Sequence, residues 1–238
     1  MTVDAQPVSA SAPVRADTTL MHAEAAEAGT AVERFLRANR DTIARIGASL
    51  RENPPAVAIT CARGSSDHAA TYGKYLIETL TGVVTSSAAL SVSSIYPAAP
   101  KTAPKPGSRL CIAISQSGKS PDLLSAVSAQ REAGARVIAL VNEEGSPLED
   151  LADDLLLLKA GPEKSVAATK SYIVSLAGLA ALVAAWANNS ALQQAVEGLP
   201  ERLREAFALD WSPAMQSLRD ATNLFVIGRG YSFGIAQE

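Results

Sequence analysis

The chain is poor in the residues that most often announce a function. Its 238 residues include two cysteines, two histidines and three methionines, and aromatics make up 5%. Two cysteines do not make a disulfide framework, and Cys61 and Cys111 lack the CxxC spacing of a metal site. Each lies in an apolar run that reads as a buried strand, so both are read as packing residues of a protein in a reducing, cytoplasmic compartment. An excess of positive charge is missing too: 21 Lys and Arg stand against 24 Asp and Glu, a net charge of −3. That excludes a broad basic field for nucleic acid or an anionic membrane surface, so an anionic ligand must be held by local devices. A membrane span needs about 20 strongly apolar residues. The most apolar stretch, Tyr172–Ala187, is shorter, rich in alanine and interrupted by Ser175 and Gly178, and reads as a core helix. Residues 1–19 carry no basic start followed by an apolar block, which excludes a secretory signal, and read as a disordered tail.

What is present is an alternation of short apolar runs and helical segments. Leu20–Arg51 favours helix, with a break expected near Arg40–Asp41 and a stop at Asn53-Pro54-Pro55. Strand candidates are Ala56–Cys61, Val83–Ser87, Leu110–Ile114, Val137–Val141, Leu155–Leu158 and Leu224–Ile227. Helices are expected over Ser66–Leu80, Pro121–Ala133, Thr169–Asn188, Ala191–Ala208 and Trp211–Asp220. Leu90–Tyr96 is ambiguous, and the proline-rich stretch Pro97–Gly107 reads as a loop. Strands alternating with helices predict βαβ units on a parallel sheet, and the unbroken apolar strands agree, because parallel strands are covered on both faces. In such sheets ligands bind beyond the carboxyl ends of the strands, so the loops after the strands are where function is sought.

The loop Ser115-Gln116-Ser117-Gly118-Lys119-Ser120-Pro121-Asp122 follows a strand and opens a helix. Ser120 suits the N-cap, Pro121 the first helical position and Asp122 the first turn. Three hydroxyls surround a glycine that lets backbone approach a ligand, and the helix start adds free N–H groups and a positive dipole end. The segment is open to two readings, a phosphate cradle or a serine-rich capping turn. It is not a P-loop, since Ala113 stands where that motif needs glycine; no G-x-S-x-G nucleophile elbow and no GxGxxG dinucleotide fingerprint occurs. Arg63-Gly64-Ser65-Ser66 repeats the pattern after another strand, and Gly228-Arg229-Gly230 repeats it in style, which hints at an internal duplication. His68, in the first turn of the next helix, reads as a packing or capping residue or as a catalytic one; spacing suggests no partner for it. The segment Gly161–Lys170 is, on its own, an ordinary loop in which Ser165 or Thr169 is positioned to cap the following helix.

In this order the loops resemble the sugar isomerase (SIS) family, and more narrowly the isomerase half of glucosamine-6-phosphate synthase and its relatives without a glutaminase domain. The residues that carry the resemblance are Ala62-Arg63-Gly64-Ser65-Ser66, the segment Ser115–Asp122, Glu163, Val166-Ala167, Thr169-Lys170, Gly228-Arg229-Gly230 and Ala236-Gln237-Glu238. The resemblance implies a three-layer α/β/α sandwich of flavodoxin-like topology, with N-terminal helices over 20–52, a first SIS domain over 53–190, connecting helices over 191–220 and the start of a second SIS domain over 221–238. It implies that Ser115, Gln116, Ser117 and Ser120 hold a sugar phosphate, that Gly64, Ser65 and Ser66 touch the sugar, and that Val166 and Ala168 lie beside it. The family often has serine at the position of Ala168 and Glu at that of Lys119, so Lys119 is expected to add positive charge near the phosphate. The expected ligand is a phosphorylated amino sugar, with no cofactor, no metal, no nucleic acid and no membrane, in a homodimer. The family's chemistry is aldose–ketose isomerisation by a carboxylate, aided by a lysine and a histidine. Those residues are expected beyond Glu238, so the chain reads as part of a longer protein; Glu238 itself matches an acidic position of the motif. Thr2 occupies the place of the glutaminase nucleophile, which makes the expected reaction glucosamine 6-phosphate to fructose 6-phosphate and ammonia. The alternatives are a non-catalytic sugar-phosphate sensor and a related phosphosugar isomerase or deglycase.

Overall fold

A computed structural model describes residues 19–96 and 108–238. The tail expected over 1–19 (all but Thr19) and the loop expected over 97–107 lie outside the described residues. Five strands, β1 (Val57–Cys61), β2 (Thr85–Ser87), β3 (Arg109–Ser115), β4 (Arg136–Val141) and β5 (Asp154–Leu157), form one parallel sheet in the order β2-β1-β3-β4-β5. This is the flavodoxin-like order. The register pairs Cys61 with Ala113 and Ser115 with Val141, so the loops after β1, β3 and β4 emerge together at one edge.

Helices cover both faces, as buried parallel strands require. On one face pack α2 (Ala28–Glu52), α3 (Ser65–Thr81) and α6 (Lys170–Trp186), whose core includes Phe35, Ile46, Leu110, Ile112, Ile114, Leu140 and Leu179. The other face carries α4 (Leu90–Ser94) and α5 (Pro121–Glu132) over Cys61, Cys111, Ala113, Leu123, Val137 and Val141. Alternate residues of β3 thus enter different cores, the period of two that a strand dictates. The result is a three-layer α/β/α sandwich. The apolar stretch after Thr169 is the core helix α6, buried along most of its length, and no described helix is long and apolar enough to cross a membrane.

Three expectations about the elements are corrected. There is no break at Arg40–Asp41: α2 is continuous from Ala28 to Glu52, and the break falls at Glu27, which separates it from α1 (Leu20–Ala26). No proline or glycine interrupts the ladder near residue 40. Buried Asn39 instead stitches α2 to the sheet, its Nδ2 donating to the carbonyls of Phe35 and Leu157, each at 2.9 Å. The single helix expected over 191–208 is two, α7 (Ser190–Glu197) and α8 (Leu199–Phe207), divided at Gly198, because Pro200 lacks the N–H of a helix interior and suits a first turn. Leu224–Ile227 forms no strand. It runs exposed without a ladder partner between α9 (Ser212–Leu218) and a 3-10 turn at Gly230–Ser232, after which α10 (Phe233–Gln237) packs on α3.

Candidate functional site

The strand order reverses between β1 and β3: the chain leaves β1 toward β2 on one side and returns to place β3 on the other. The helix after β1, α3, lies on one face of the sheet, and the helix after β3, α5, on the opposite face. The loops therefore part, and a crevice opens between them. It is a cavity of about 230 Å³ lined by Arg63, Ser65 and Ser66 from the first loop, by Ser115, Gln116, Ser117 and Ser120 from the second, and by Ala168, Ser171 and Tyr172 from the start of α6.

The second loop is built around Gly118. Its φ of +63° is one that L side chains avoid, and a Cβ there would lie 2.7 Å from Ser146 Cβ and 2.9 Å from Val141 Cγ2. The Gly118 N–H donates to Ser115 Oγ at 2.9 Å, closing the turn, while the Gln116 carbonyl accepts from the N–H of Glu143 at 3.1 Å and anchors the loop to the end of β4. Ser120 holds the N-cap position of α5, makes no side-chain cap bond, and lines the cavity. Pro121 and Asp122 stand in the first turn as expected. Ser115 and Ser117 both accept from backbone N–H groups, which leaves their own O–H protons to donate. This rim of the cavity is a row of hydroxyl donors above a helix start, suited to an anion.

The first loop turns at Gly64, whose φ is +54° and whose Cβ position is open space. Gly64 shapes the turn rather than lining the cavity. Its neighbour Arg63 pairs with both carboxylate oxygens of Asp122, at 3.1 Å each, and so ties the first loop to the start of α5. Gly230, the counterpart in Gly228-Arg229-Gly230, likewise has a positive φ, +62°.

The third segment is organised by two carboxylates. Glu163 Oε1 accepts from the Thr169 N–H at 2.9 Å, from Thr169 Oγ1 at 3.0 Å and from the Ser171 N–H at 3.2 Å, and Oε2 accepts from Ser171 Oγ. Thr169 does hold the N-cap position of α6, but its side chain makes no cap bond; Glu163 accepts from the first-turn N–H instead, and Ser165 takes no part. Buried Glu24 of α1 accepts from the Lys164 N–H at 2.5 Å, the Ser165 N–H at 3.2 Å and Ser165 Oγ; the Ser165 hydroxyl above all lowers its pKa. With Ser165 turned inward onto Glu24, Val166 points outward, fully exposed and away from the cavity, whereas Ala168 lines it. Lys119 also stays outside the cavity lining: its ammonium pairs with Glu143, so it adds no charge at the cradle. Lys170, almost wholly buried, pairs with Glu27 at 2.6 Å.

Sequence reading missed two residues of the site, Ser171 and Tyr172, and the pairing of His68 with Glu238 beside it. Ser171 and Tyr172 line it from the first turn of α6, and the Tyr172 hydroxyl donates to the Gly234 carbonyl at 3.3 Å. Burial, with the nearby charge of Glu238, pushes the Tyr172 phenol up to about 12. His68 does have a partner: its Nδ1 is 2.7 Å from Glu238 Oε2, and Ser65 Oγ donates to Glu238 Oε1 at 2.7 Å. Partners 170 residues apart leave no trace in local spacing. A larger cleft of about 620 Å³ lies among α2, α6, α7 and α8, away from the strand ends and from every loop with the glycine-serine pattern.

The model of the SIS domain matches residues 55–185, which is more than half of the chain. The chain belongs to the SIS domain family. A glutamine–fructose-6-phosphate aminotransferase (isomerizing) of Aeropyrum pernix is 34% identical over 187 residues, covering 74% of this chain and 30% of its own length. A protein of Silicibacter pomeroyi described as a phosphosugar isomerase superposes with a TM-score of 0.85 at 38% identity, over 91% of this chain and 65% of that one. Glucosamine-6-phosphate deaminase of Thermotoga maritima shares the fold, with a TM-score of 0.65 at 19% identity over 92% of this chain and 64% of its own. The SIS chain thus spans about a third of the curated relative and about two thirds of the solved ones.

Proposed function

We propose that this SIS domain binds a phosphorylated amino sugar, glucosamine 6-phosphate foremost, and that the protein converts it to fructose 6-phosphate and ammonia. The observation that carries the reading is the cavity at the β1/β3 reversal, which Ser115, Ser117 and Ser120 line together at the N-terminus of α5. Hydroxyl and backbone donors of the β3 loop replace the hydration of a phosphoryl group, while Arg63, which also lines the cavity, is engaged with Asp122. The curated relatives, aminotransferases that act on fructose 6-phosphate by name, support a phosphosugar of this class.

Titration of the full chain with glucosamine 6-phosphate, followed by thermal shift and calorimetry, tests binding. Ser117→Ala should weaken binding about tenfold or more, since a hydrogen bond to a charged group contributes about 1.5–3 kcal/mol. Unchanged affinity in that variant would sink the cradle. Ammonia release from the same substrate tests turnover.

One observation favours a second reading, a binding module without chemistry. Among the described residues the cavity lining holds no carboxylate, lysine or histidine, and burial pushes its one phenol, Tyr172, up to about 12, too high for a base at neutral pH. Stabilisation by ligand with zero turnover would select that reading.

A further inference from the structure

Ser65 belongs to the cavity and also to a second group of side chains just outside its lining. Its Oγ is 2.7 Å from Glu238 Oε1, and the other oxygen of Glu238 is 2.7 Å from His68 Nδ1. A carboxylate only accepts hydrogen bonds, so both contacts have one direction: Ser65 O–H donates to Glu238, and His68 Nδ1–H donates to Glu238. The helix that brings Glu238 there is held independently of these bonds. Gly234 of α10 sits so close to α3 that a Cβ would lie 3.0 Å from the Tyr72 backbone nitrogen, the Gly234 carbonyl accepts from Tyr172, and Tyr231 and Thr79 share a 2.7 Å hydrogen bond.

The consequence concerns the polarity of Ser65. With its one proton committed to Glu238, it presents only lone pairs to the cavity. The serines of the β3 loop are the reverse, since Ser115 and Ser117 accept from backbone and keep their protons for the ligand. The cavity therefore has a donor rim along the β3 loop and an acceptor pole at Ser65, backed by a carboxylate. A phosphoryl group fits the first. The second fits a group that donates and is cationic. We propose that Ser65, polarised by Glu238 and steadied by His68, is the specificity element that selects an ammonium substituent on the sugar over a hydroxyl. The proposal rests on the phosphosugar reading above. Ser65 makes the contact, and Glu238 and His68 are positioning residues that act through it.

The test compares two ligands that differ only at that substituent, glucosamine 6-phosphate and glucose 6-phosphate, by calorimetry on the full chain. The readout is the ratio of their dissociation constants, which a general loss of affinity does not move. The expected wild-type preference for the amino sugar is about tenfold or more, in line with a charge-assisted hydrogen bond. Glu238→Gln, which keeps shape but removes charge, and Ser65→Ala should each bring the ratio to about one. Ser117→Ala should weaken both ligands together and keep the ratio. Should Glu238→Gln bind too weakly to measure, Ser65→Ala alone decides. A wild-type ratio near one, or a ratio unchanged by either variant, overturns the proposal while leaving the phosphosugar reading in place. Failure of the wild type to bind either sugar phosphate sinks the phosphosugar reading itself.

Discussion

Gly118 shows how much one position can fix. The left-handed conformation costs an L residue about 1–2 kcal/mol, and a methyl forced into a packed neighbour about 1–3 kcal/mol more. A Cβ at Gly118 would meet Ser146 and Val141 and could not be accommodated by rotation, since both neighbours are buried. Gly118→Ala should therefore lower unfolding stability by about 3 kcal/mol, read from urea denaturation, and should disorder the turn that aims Ser115 and Ser117. A variant of wild-type stability would mean that the turn does not need its glycine. The serines around Gly118 were legible in the sequence because strand, glycine, cap and proline follow one another within eight residues. Ser171 and Tyr172 were not. They read as the start of an apolar helix, and only the fold of α6 against the β1 and β3 loops shows that its first turn faces the crevice.

At the scale of elements, most helix and strand identities followed from composition, but the division at Gly198 before Pro200 was marked by local residues and still passed over. The other errors are non-local. Asn39 in α2 and Glu163 before α6 work through partners distant in the fold or through an unusual cap, and no periodicity reports them. Leu224–Ile227 has the side chains of a strand, yet a strand exists only where a neighbour accepts its hydrogen bonds. Helix α1 holds the 163–169 segment through Glu24, whose pKa is lowered first by the Ser165 hydroxyl and then by the Lys164 N–H. A carboxyl with a depressed folded-state pKa contributes stability that is present above its unfolded value and is lost as pH falls through the lowered one. Acid titration of the melting temperature should accordingly fall more steeply for the wild type than for Glu24→Gln through the carboxylate range. Parallel curves would show that the strap carries no stability linked to this group.

The whole molecule is organised by the sheet, and its centre holds the two cysteines. Cys61 of β1 and Cys111 of β3 are fully buried with sulfurs 3.8 Å apart, and contact with Cys61 together with burial pushes the Cys111 thiol well above its ordinary pKa. Both sulfurs are closed off from a reagent in the folded state by the two layers of helices. Labelling by a disulfide reagent should be negligible in native buffer and should rise with denaturant along the global unfolding curve; rapid labelling of the native protein would contradict the central position of β1 and β3. Parallel order and burial on both faces could be read from the unbroken apolar strands. The reversal between β1 and β3 could not, because the direction of each crossover is settled by how whole helices share the two faces.

That reversal works as a ruler. β1 and β3 are hydrogen-bonded neighbours in register, Cys61 opposite Ala113, so their glycine turns spring from points one strand spacing apart, about 4.8 Å. Any molecule gripped by both turns must carry its anionic end and its ring substituents within a few bonds of each other. Slipping β3 by a single residue would turn its side chains to the opposite face and carry one turn past the other. The spacing of the two turns is thereby written into the pairing of β1 with β3.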